Sequence, residues 1–253
     1  MQIKNHWLYG AEISHVNTPN KGGKFGENLP DTIIVHYTAG SSLESAVNTL
    51  TNPKIKASAH LVIGRDGKIC QLAPFNSITW HAGQSQYGGR TGFNQYSIGI
   101  ELDNAGLLEK RGDGYYSWFG RKYSEENVVK AVHRNETIER YWHAYTEVQL
   151  QLVYEISLLL NEKYNIQYVL GHEEVSPGRK IDPGPAFPLD KMRDKILNLN
   201  RNQNEAEDIA VPKEGIVTAS RLNIRSSPDV EAEQVALPLP KGTKVQILEA
   251  KDG

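Results

Sequence analysis

Short runs of apolar and β-branched residues along the chain predict the strands of a buried sheet. The run from Thr32 to Tyr37 is continuous and mostly β-branched, which is typical of a strand that is covered on both faces. A hairpin is predicted where the dipeptide Asp66-Gly67 separates two such runs. The other predicted strands are Ser58 to Ile63 and Ile69 to Leu72, which form this hairpin, and Ser97 to Glu101 and Tyr168 to Leu170.

Helices with recognisable ends separate these strands. Thr146 followed by Gln149 forms a capping box, and the apolar spacing after it predicts a long helix. The serines at 41 and 42 are placed to cap a shorter helix that ends near Leu50. The segment from Pro188 to Asn200 predicts a closing amphipathic helix.

Other segments show no long regular pattern. Residues 1–30 are polar and contain proline and several glycines, so we expect an arm with little regular structure. Residues 103–123 form a polar and aromatic excursion, and Ser124 is the predicted start of another helix. The alternation of strands and helices predicts an α/β fold, with a mixed central β-sheet flanked by helices.

The character of the sequence changes near its end. Residues 201–213 begin with a polar stretch without apolar anchors, which predicts a linker after a main domain over residues 1–200. Residues 214–253 show short alternating segments, turn residues and no helical spacing. This last part is therefore predicted to be a small, incomplete all-β module.

Charge and cysteine content exclude several classes of partner and structure. The formal net charge is −2 at pH 7, so no basic surface favours nucleic acid as a partner. Cys70 is the single cysteine, which excludes an intrachain disulfide framework and a cysteine-based zinc cluster. We find no apolar run of transmembrane length and no secretory signal, and no pattern that specifies an oligomeric state.

Three of the predicted strands lead to a side chain that is capable of chemistry. His36 and Glu101 lie at the ends of their strands, and His172 follows the last strand. Because α/β folds place chemistry at strand ends, we expect these groups to meet at one edge of the sheet. The loop over residues 171–187 is rich in proline and glycine and carries Lys180 and Asp182.

Together these residues have the composition of a catalytic zinc site. Imidazole and carboxylate are zinc ligands, so His36, His172 and Asp182 are predicted to bind Zn2+ and leave a fourth position open. Zinc lowers the pKa of a bound water to about 7. Glu101 is the predicted general base and acid, and Lys180 the predicted stabiliser of an oxyanion. The alternative is a polar surface turn with strand-end histidines that only pack.

Five motifs occur in order between residues 33 and 187. They are IIVHYTAG (33–40), SAHLVIGRDGKICQLAPF (58–75), WHAGQSQYGGR (80–90), YSIGIELDN (96–104) and GHEEVSPGRKIDPGPAF (171–187). In these motifs the chain resembles the type-2 N-acetylmuramoyl-L-alanine amidases, the superfamily that also includes the peptidoglycan recognition proteins.

The resemblance implies an activity and roles for particular residues. The expected reaction is hydrolysis of the amide between N-acetylmuramic acid and the L-alanine of peptidoglycan stem peptides. Zinc would be bound by His36, His172 and Asp182, with Glu101 as general base and Lys180 beside the scissile carbonyl. The stretch from about 105 to 145 is longer than in the compact cytosolic members, so the family does not define the shape of the groove here.

Three residues are candidate substrate contacts. His81 lies in the Trp-His-Ala-Gly loop, where the alternative is a structural histidine. Arg90 is a candidate partner for a peptide carboxylate, and Tyr37 lies next to the predicted ligand His36. In the tail, Arg221 to Pro228 and Lys241 to Val245 resemble a bacterial Src-homology-3-like module, a kind of module that often binds cell-wall peptides.

The biological role is predicted to be cell-wall lysis, as in an endolysin, because the tail resembles a wall-binding module. We expect synthesis in the cytoplasm without a signal peptide, followed by release to the wall through a partner system. One alternative is cytosolic recycling of anhydro-muropeptides. Others are a recognition module that binds peptidoglycan without cutting it, and a zinc hydrolase that acts on a different amide.

Overall fold

Strands outnumber helices in the computed structural model, which describes residues 1–205, 214–217, 221–227 and 232–246. The first strands are β1 (Gln2–Lys4), β2 (Trp7–Tyr9), β3 (Ile13–His15), β4 (Lys21–Lys24) and β5 (Thr32–Tyr37). Helix α1 (Leu43–Leu50) precedes β6 (Leu61–Ile63), β7 (Ile69–Gln71), β8 (Ser77–Thr79), β9 (Gln86–Tyr87), β10 (Arg90–Thr91) and β11 (Ser97–Leu102). Then come β12 (Leu107–Arg111), β13 (Gly114–Tyr116), β14 (Lys122–Tyr123), β15 (Val128–Val132) and β16 (Glu139–His143).

The second half of the chain contains the longer helices. Helix α2 (Glu147–Tyr164), strand β17 (Tyr168–Gly171), the single-turn helix α3 (His172–Val175) and helix α4 (Leu189–Glu205) follow in order. The final strands are β18 (Glu214–Ile216), β19 (Arg221–Arg225), β20 (Gln234–Pro240) and β21 (Lys244–Gln246). The chain divides into two units, Met1–Leu199 and Asn200–Gly253.

A six-stranded mixed sheet forms the centre of the first unit, in the order β17-β5-β11-β6-β7-β3. Strands β17, β5, β11 and β6 are parallel, β6 and β7 form the predicted antiparallel hairpin, and β3 adds in parallel to β7. The predicted α/β fold with a mixed central sheet is confirmed, and all five predicted strands are present.

Helices cover the two faces of this sheet because the strand residues alternate between them. On one face, Ile33 and Val35 belong to the same apolar cluster as Val153 of α2 and Ile196 of α4. On the other face, Ile34 packs with residues of the loop before β11 and with Leu170, while α1 covers β6 and β7. His36 lies on the same face as Ile34, so the functional edge is on the side away from α2 and α4.

The predicted helix ends are confirmed where local capping specifies them. Thr146 accepts a hydrogen bond from the Gln149 amide, and the Gln149 side chain accepts from the Thr146 amide, which completes the capping box of α2. Ser42 caps α1 through the Ser45 amide. A cap of this kind contributes about 1 kcal/mol.

Two irregular segments of the first unit are more ordered than predicted. Residues 1–30 contain four short strands, and β3 joins the central sheet. Residues 107–143 form a five-stranded antiparallel sheet in the order β14-β13-β12-β16-β15, which we call the inserted sheet. The predicted helix at Ser124 is wrong, because the turn Glu125–Asn127 is a short 3-10 helix and Val128–Val132 pairs with β16.

Beyond the end of helix α4, the described part of the second unit consists of β-strands. Strand β18 pairs with β21, and β19 pairs with β20, both antiparallel. Helix α4 continues to Glu205, so the first residues of the predicted linker are helical; residues 206–213 and Pro228 lie outside the described residues. Within the described ranges, no helix is both long and apolar enough to cross a membrane.

Candidate active site

The register of the parallel strands brings His36 and Glu101 together. These two residues are direct partners in the pairing of β5 with β11, so their side chains leave the same face of the sheet. On the other side of β5, Gly171 is the partner of Val35, and His172 follows it directly. The three groups that sequence analysis placed at strand ends therefore converge, as predicted.

The proline- and glycine-rich loop returns Asp182 to the two histidines. The backbone amide of Glu173 donates to the carbonyl of Asp182 at 2.8 Å, which closes the loop at its base. Asp182 Oδ2 lies 2.9 Å from Nδ1 of His36 and 3.0 Å from Nδ1 of His172. The two Nδ1 atoms are 2.9 Å apart, and all three residues are buried. Three potential ligand atoms thus face one point.

Hydrogen bonds on the far side of each imidazole ring indicate which ring nitrogen carries the proton and which one faces the three converging ligand atoms. Nε2 of His172 lies 3.1 Å from the carbonyl of Ala82, which can only accept, so Nε2 bears the proton. Nε2 of His81 lies 3.2 Å from the carbonyl of Ser97, and its Nδ1 lies 3.0 Å from Nε2 of His36. His81 therefore donates to Ser97 and accepts from His36.

This assignment leaves a lone pair on Nδ1 of both His36 and His172. A carboxylate oxygen completes the triangle, so three electron-rich atoms lie within 3.0 Å of one another with no proton to share between neutral rings. Such an arrangement is unfavourable unless a cation or an added proton occupies the centre. The donor set of two imidazoles and one carboxylate fits a divalent metal ion, and the second nitrogen of each ring has the outer partner that metal-bound histidines usually have.

Burial keeps these groups in the form that binds a metal. Desolvation and the nearby His172 lower the pKa of His36 to about 4, so its ring is neutral at neutral pH. Burial on its own would raise the pKa of Asp182, but its close contacts with the rings of His172 and His36 hold it well below its usual range. The site therefore presents a neutral imidazole at His36 and an ionised carboxylate at Asp182.

Glu101 lies in an environment suited to a proton carrier. Burial and the charge of Asp182 raise its pKa to about 8, against the opposing effect of Lys180. Its Oε2 is buried without a hydrogen-bond partner in the described part of the chain. A buried carboxyl with an unpaired oxygen and a pKa near neutrality is able to accept and return a proton.

A cavity of about 370 Å³ opens over these residues. Tyr37 and Lys180 line it, and the tyrosine ring packs against Gly106, whose positive φ and missing Cβ leave room for it. Trp80 and His81 also contribute to the lining. Lys180 thus lies in the same cavity as Glu101, as the sequence predicted.

The other predicted substrate contacts have different surroundings. His81 also borders the cavity, but His36 and Ser97 engage both of its ring nitrogens, which favours a role in orienting His36. Arg90 is not brought to the cavity: its guanidinium donates to Asp31 Oδ2 at 2.7 Å. The predicted contact of Arg90 with a peptide carboxylate is therefore not supported by its position.

Sequence reasoning missed the ionic cluster that holds the ligand loop from behind. Glu173, next to the ligand His172, is 2% exposed and accepts from Nε2 of His133 at 2.7 Å. Its carboxylate also accepts from the amide of Gly184 at 3.0 Å and from Nε of Arg134 at 2.9 Å. His133 follows strand β15, so this cluster fastens the inserted sheet to the ligand loop. No local pattern marks a contact between residues 40 positions apart.

A second group missed by the sequence holds the loop that contains His81. The Asn94 side chain accepts from the backbone amides of His81 and Ala82, at 3.0 and 2.7 Å. Nη2 of Arg179 donates to the carbonyls of Ala82 and Gln84, at 2.8 and 2.7 Å. These bonds connect the two loops that border the metal-binding triangle.

Comparison with known proteins agrees with this site. The family model of N-acetylmuramoyl-L-alanine amidase, Amidase_2, matches residues 26–185. The 1,6-anhydro-N-acetylmuramyl-L-alanine amidase AmpD of Salmonella typhimurium is 33% identical over 206 residues, which cover 74% of this chain and 90% of AmpD.

Two solved structures share the fold. A crystal structure of a selenomethionine AmpD derivative superposes with a TM-score of 0.54 at 29% identity, covering 78% of this chain and 99% of AmpD. The Escherichia coli amidase AmiD, solved with an anhydro-muramyl tripeptide substrate, gives a TM-score of 0.50 at 28% identity, covering 68% of this chain and 58% of AmiD. The chain belongs to the Amidase_2 family, and it is an N-acetylmuramoyl-L-alanine amidase.

Proposed function

We propose that this amidase uses Zn2+, bound by His36, His172 and Asp182, to hydrolyse the amide between N-acetylmuramic acid and L-alanine of peptidoglycan stem peptides. The observation that carries the proposal is the triangle of two Nδ1 atoms and one carboxylate oxygen beside Glu101. Zinc, when bound, supplies a Lewis acid for the carbonyl and a water of lowered pKa.

Side chains of the protein carry out proton transfer, charge stabilisation and substrate contact. Glu101 takes the proton of the attacking water and returns it to the departing alanine nitrogen, a task suited to a carboxyl with a pKa near neutrality. Lys180 lies in the same cavity and stabilises negative charge on the lactyl oxygen. Tyr37 borders the cavity and is the proposed contact with the bound substrate.

We further propose that the enzyme acts in lysis of the cell wall. Support comes from the second unit, whose described strands are antiparallel and whose sequence resembles a Src-homology-3-like module. The chain would be made in the cytoplasm and released to the wall by a partner system. Recycling of soluble anhydro-muropeptides is the second candidate, because the AmpD relative is named for the 1,6-anhydro sugar and is covered over 90% of its length.

The test is mass spectrometry of the products formed by zinc-loaded protein from whole sacculi and, separately, from soluble anhydro-muropeptides. Release of stem peptides that begin with alanine from sacculi supports the lytic role. Cleavage of the soluble anhydro-muropeptides alone supports recycling. If zinc is bound but neither substrate is cleaved, the proposed reaction is wrong and a purely binding function is favoured.

A further inference from the structure

A second groove lies on the inserted sheet, outside the catalytic cavity. It has a volume of about 570 Å³, and strands β12, β13 and β16 contribute to its wall. Among the side chains at this groove are Leu107, Glu109, Tyr116, Trp118 and Arg140. None of these residues takes part in the metal-binding triangle or lines the cavity above it.

Trp118 is unusual because it is both exposed and anchored. Trp118 is 75% exposed, although burial of a tryptophan ring is energetically favourable. Its Nε1–H donates to the carbonyl of Ala39 at 2.7 Å, and the ring of Phe119 meets it edge to face at 5.6 Å. An indole that is held in one orientation while most of its surface is open to solvent is preorganised to bind a ligand.

The groove begins where the catalytic cavity ends. Ala39, which anchors Trp118, lines the cavity, and so does Tyr37, whose ring packs against Gly106, the residue before the groove residue Leu107. Nη1 of Arg121 donates to the carbonyl of Ser41 at 2.9 Å and fixes the same turn to the same loop. A ligand that extends out of the cavity past Tyr37 and Ala39 would therefore reach Trp118.

The chemistry of the groove favours a saccharide. A pyranose ring has an apolar face of C–H groups, which the electron-rich face of an indole attracts, and a rim of hydroxyl and amide groups. Glu109 and Arg140 supply acceptors and donors for such a rim, and Tyr116 adds a second aromatic ring. Most charges of the lining are balanced locally, since Glu109 pairs with Arg111, Arg140 with Glu136 and Glu139 with Lys130. Lys110, which lies over the Tyr115 ring, is the lining cation without an ion pair among the described residues, so a strongly charged peptide meets no extended matching field.

We propose that this groove binds the glycan that adjoins the reacting muramyl residue, with Trp118 stacking on one of its sugar rings. The inference rests on the proposed function, because it takes the muramyl amide as the bond in the cavity. It adds a saccharide subsite that belongs to the inserted sheet. The consequence is a preference for substrates whose glycan continues beyond the single muramyl residue.

The experiment compares two substrates with the same tripeptide, one attached to a single N-acetylmuramic acid and the other to a tetrasaccharide of alternating N-acetylglucosamine and N-acetylmuramic acid. For Trp118→Ala we expect kcat/KM on the tetrasaccharide substrate to fall about tenfold, which corresponds to about 1.4 kcal/mol. On the single-sugar substrate kcat/KM should change by no more than about twofold, because no part of this substrate reaches the indole. Trp118→Phe should keep most of the preference, since it retains an aromatic face but cannot donate to Ala39.

Ile138→Ala is the matched control, because Ile138 is 65% exposed on the same inserted sheet region and does not line the groove. This variant should leave both substrates unchanged. Equal losses on both substrates for Trp118→Ala would overturn the inference, since they would mean that Trp118 only supports the loop at Ala39. A wild-type enzyme with the same kcat/KM on the single-sugar and tetrasaccharide substrates would overturn it as well.

Binding of the peptide-free tetrasaccharide, measured by calorimetry, separates the inference from the proposed reaction. Wild-type protein should bind it, and Trp118→Ala should bind it about tenfold more weakly, on the scale of one stacking contact. If the wild type binds this glycan but cleaves neither substrate, the proposed reaction fails and the subsite stands. If it cleaves the single-sugar substrate but does not bind the glycan, the subsite fails and the proposed reaction stands.

Discussion

Nδ1 of His81 lies 3.0 Å from Nε2 of His36, and this bond directs the other nitrogen of His36 toward the metal-binding triangle. Gly99, the partner of Ile34 in the neighbouring strand, makes the arrangement possible, because a Cβ at Gly99 would lie 2.5 Å from the imidazole of His81. The orientation of a predicted ligand thus depends on a histidine that sequence analysis assigned to the substrate.

Replacing His81 by alanine is expected to lower zinc affinity about 10- to 100-fold, the usual effect of removing an outer partner of a metal-bound histidine. The measurement is a competition titration of metal-free protein with a chromophoric chelator, which does not depend on turnover. His15→Ala is the control, because His15 is exposed and far along the chain from the site, and within the described residues its ring hydrogen-bonds to the carbonyl of Leu8 alone. Equal zinc affinities of wild type and His81→Ala would show that His81 does not orient His36.

The second prediction separates metal binding from proton transfer. Glu101→Gln should retain zinc with nearly wild-type affinity and lose about 100- to 10,000-fold in kcat, the range for removing a general acid–base group. His172→Ala should lose both zinc and turnover, because it removes one corner of the triangle. Metal analysis and kcat are measured on the same preparations. Glu101→Gln that turns over at the wild-type rate would refute the assigned role of Glu101.

The third prediction concerns the cluster behind the ligand loop. Glu173→Ala leaves the buried His133 and the amide of Gly184 without their shared acceptor. We expect the free energy of unfolding to fall by about 3 to 5 kcal/mol, as for other broken buried ion pairs. Glu139→Ala is the matched control: Glu139 and its partner Lys130 are 49% and 56% exposed, so loss of this ion pair should cost much less. Similar losses for the two variants in urea unfolding would contradict this difference.

The fourth prediction is a pH dependence of stability that originates at His60. The His60 ring is fully buried, donates to the carbonyl of Ser77 at 2.8 Å and accepts from the amide of Gly99 at 3.1 Å, so both nitrogens are satisfied in the neutral form. Burial lowers the pKa of His60 to about 4. Between that value and the ordinary pKa of about 6.5, the unfolded chain binds more protons than the folded one.

This contribution of His60 is therefore complete above about pH 6.5 and is lost as the pH falls toward 4. Between pH 7 and 4.5, unfolding free energies of the wild type should fall about 2 to 3 kcal/mol more than those of His60→Gln, which has no titrating group there. Urea unfolding curves of both proteins at several pH values give this difference. Parallel pH profiles would mean that His60 is not the source.

The strands that carry the site were predictable because the local sequence of each one is enough to specify a strand. The run around His36 is continuously β-branched, and the hairpin and the α2 capping box have specific turn and cap residues. The prediction that His36, Glu101 and His172 meet needed only the rule that parallel strands present their ends at one edge, and Asp182 was added from the ligand chemistry of the proline- and glycine-rich loop. The structure brings these three side chains within 3.0 Å of one another.

The inserted sheet was not predicted, because its strands are short and mostly polar. In addition, its sequence contains both a helix-start signal and a strand signal. Ser124, Glu125 and Glu126 resemble the first turn of a helix, and the chain does form a 3-10 turn there. The β-branched run Val128–Val132 then pairs with Glu139–His143, and that tertiary pairing decides the outcome. His133 and Trp118 gain their roles only through partners 40 and 79 positions away, which no local pattern reveals.

The most direct test of the central claim is hydrolysis of a muramyl tripeptide by zinc-loaded protein in water enriched in heavy oxygen. We predict a peptide that begins with unmodified alanine, heavy oxygen in the lactyl carboxylate of the muramyl product, and turnover by Glu101→Gln that is at least about 100-fold slower under the same conditions. Heavy oxygen in a carboxylate of a shortened peptide, with the muramyl amide intact, would contradict it.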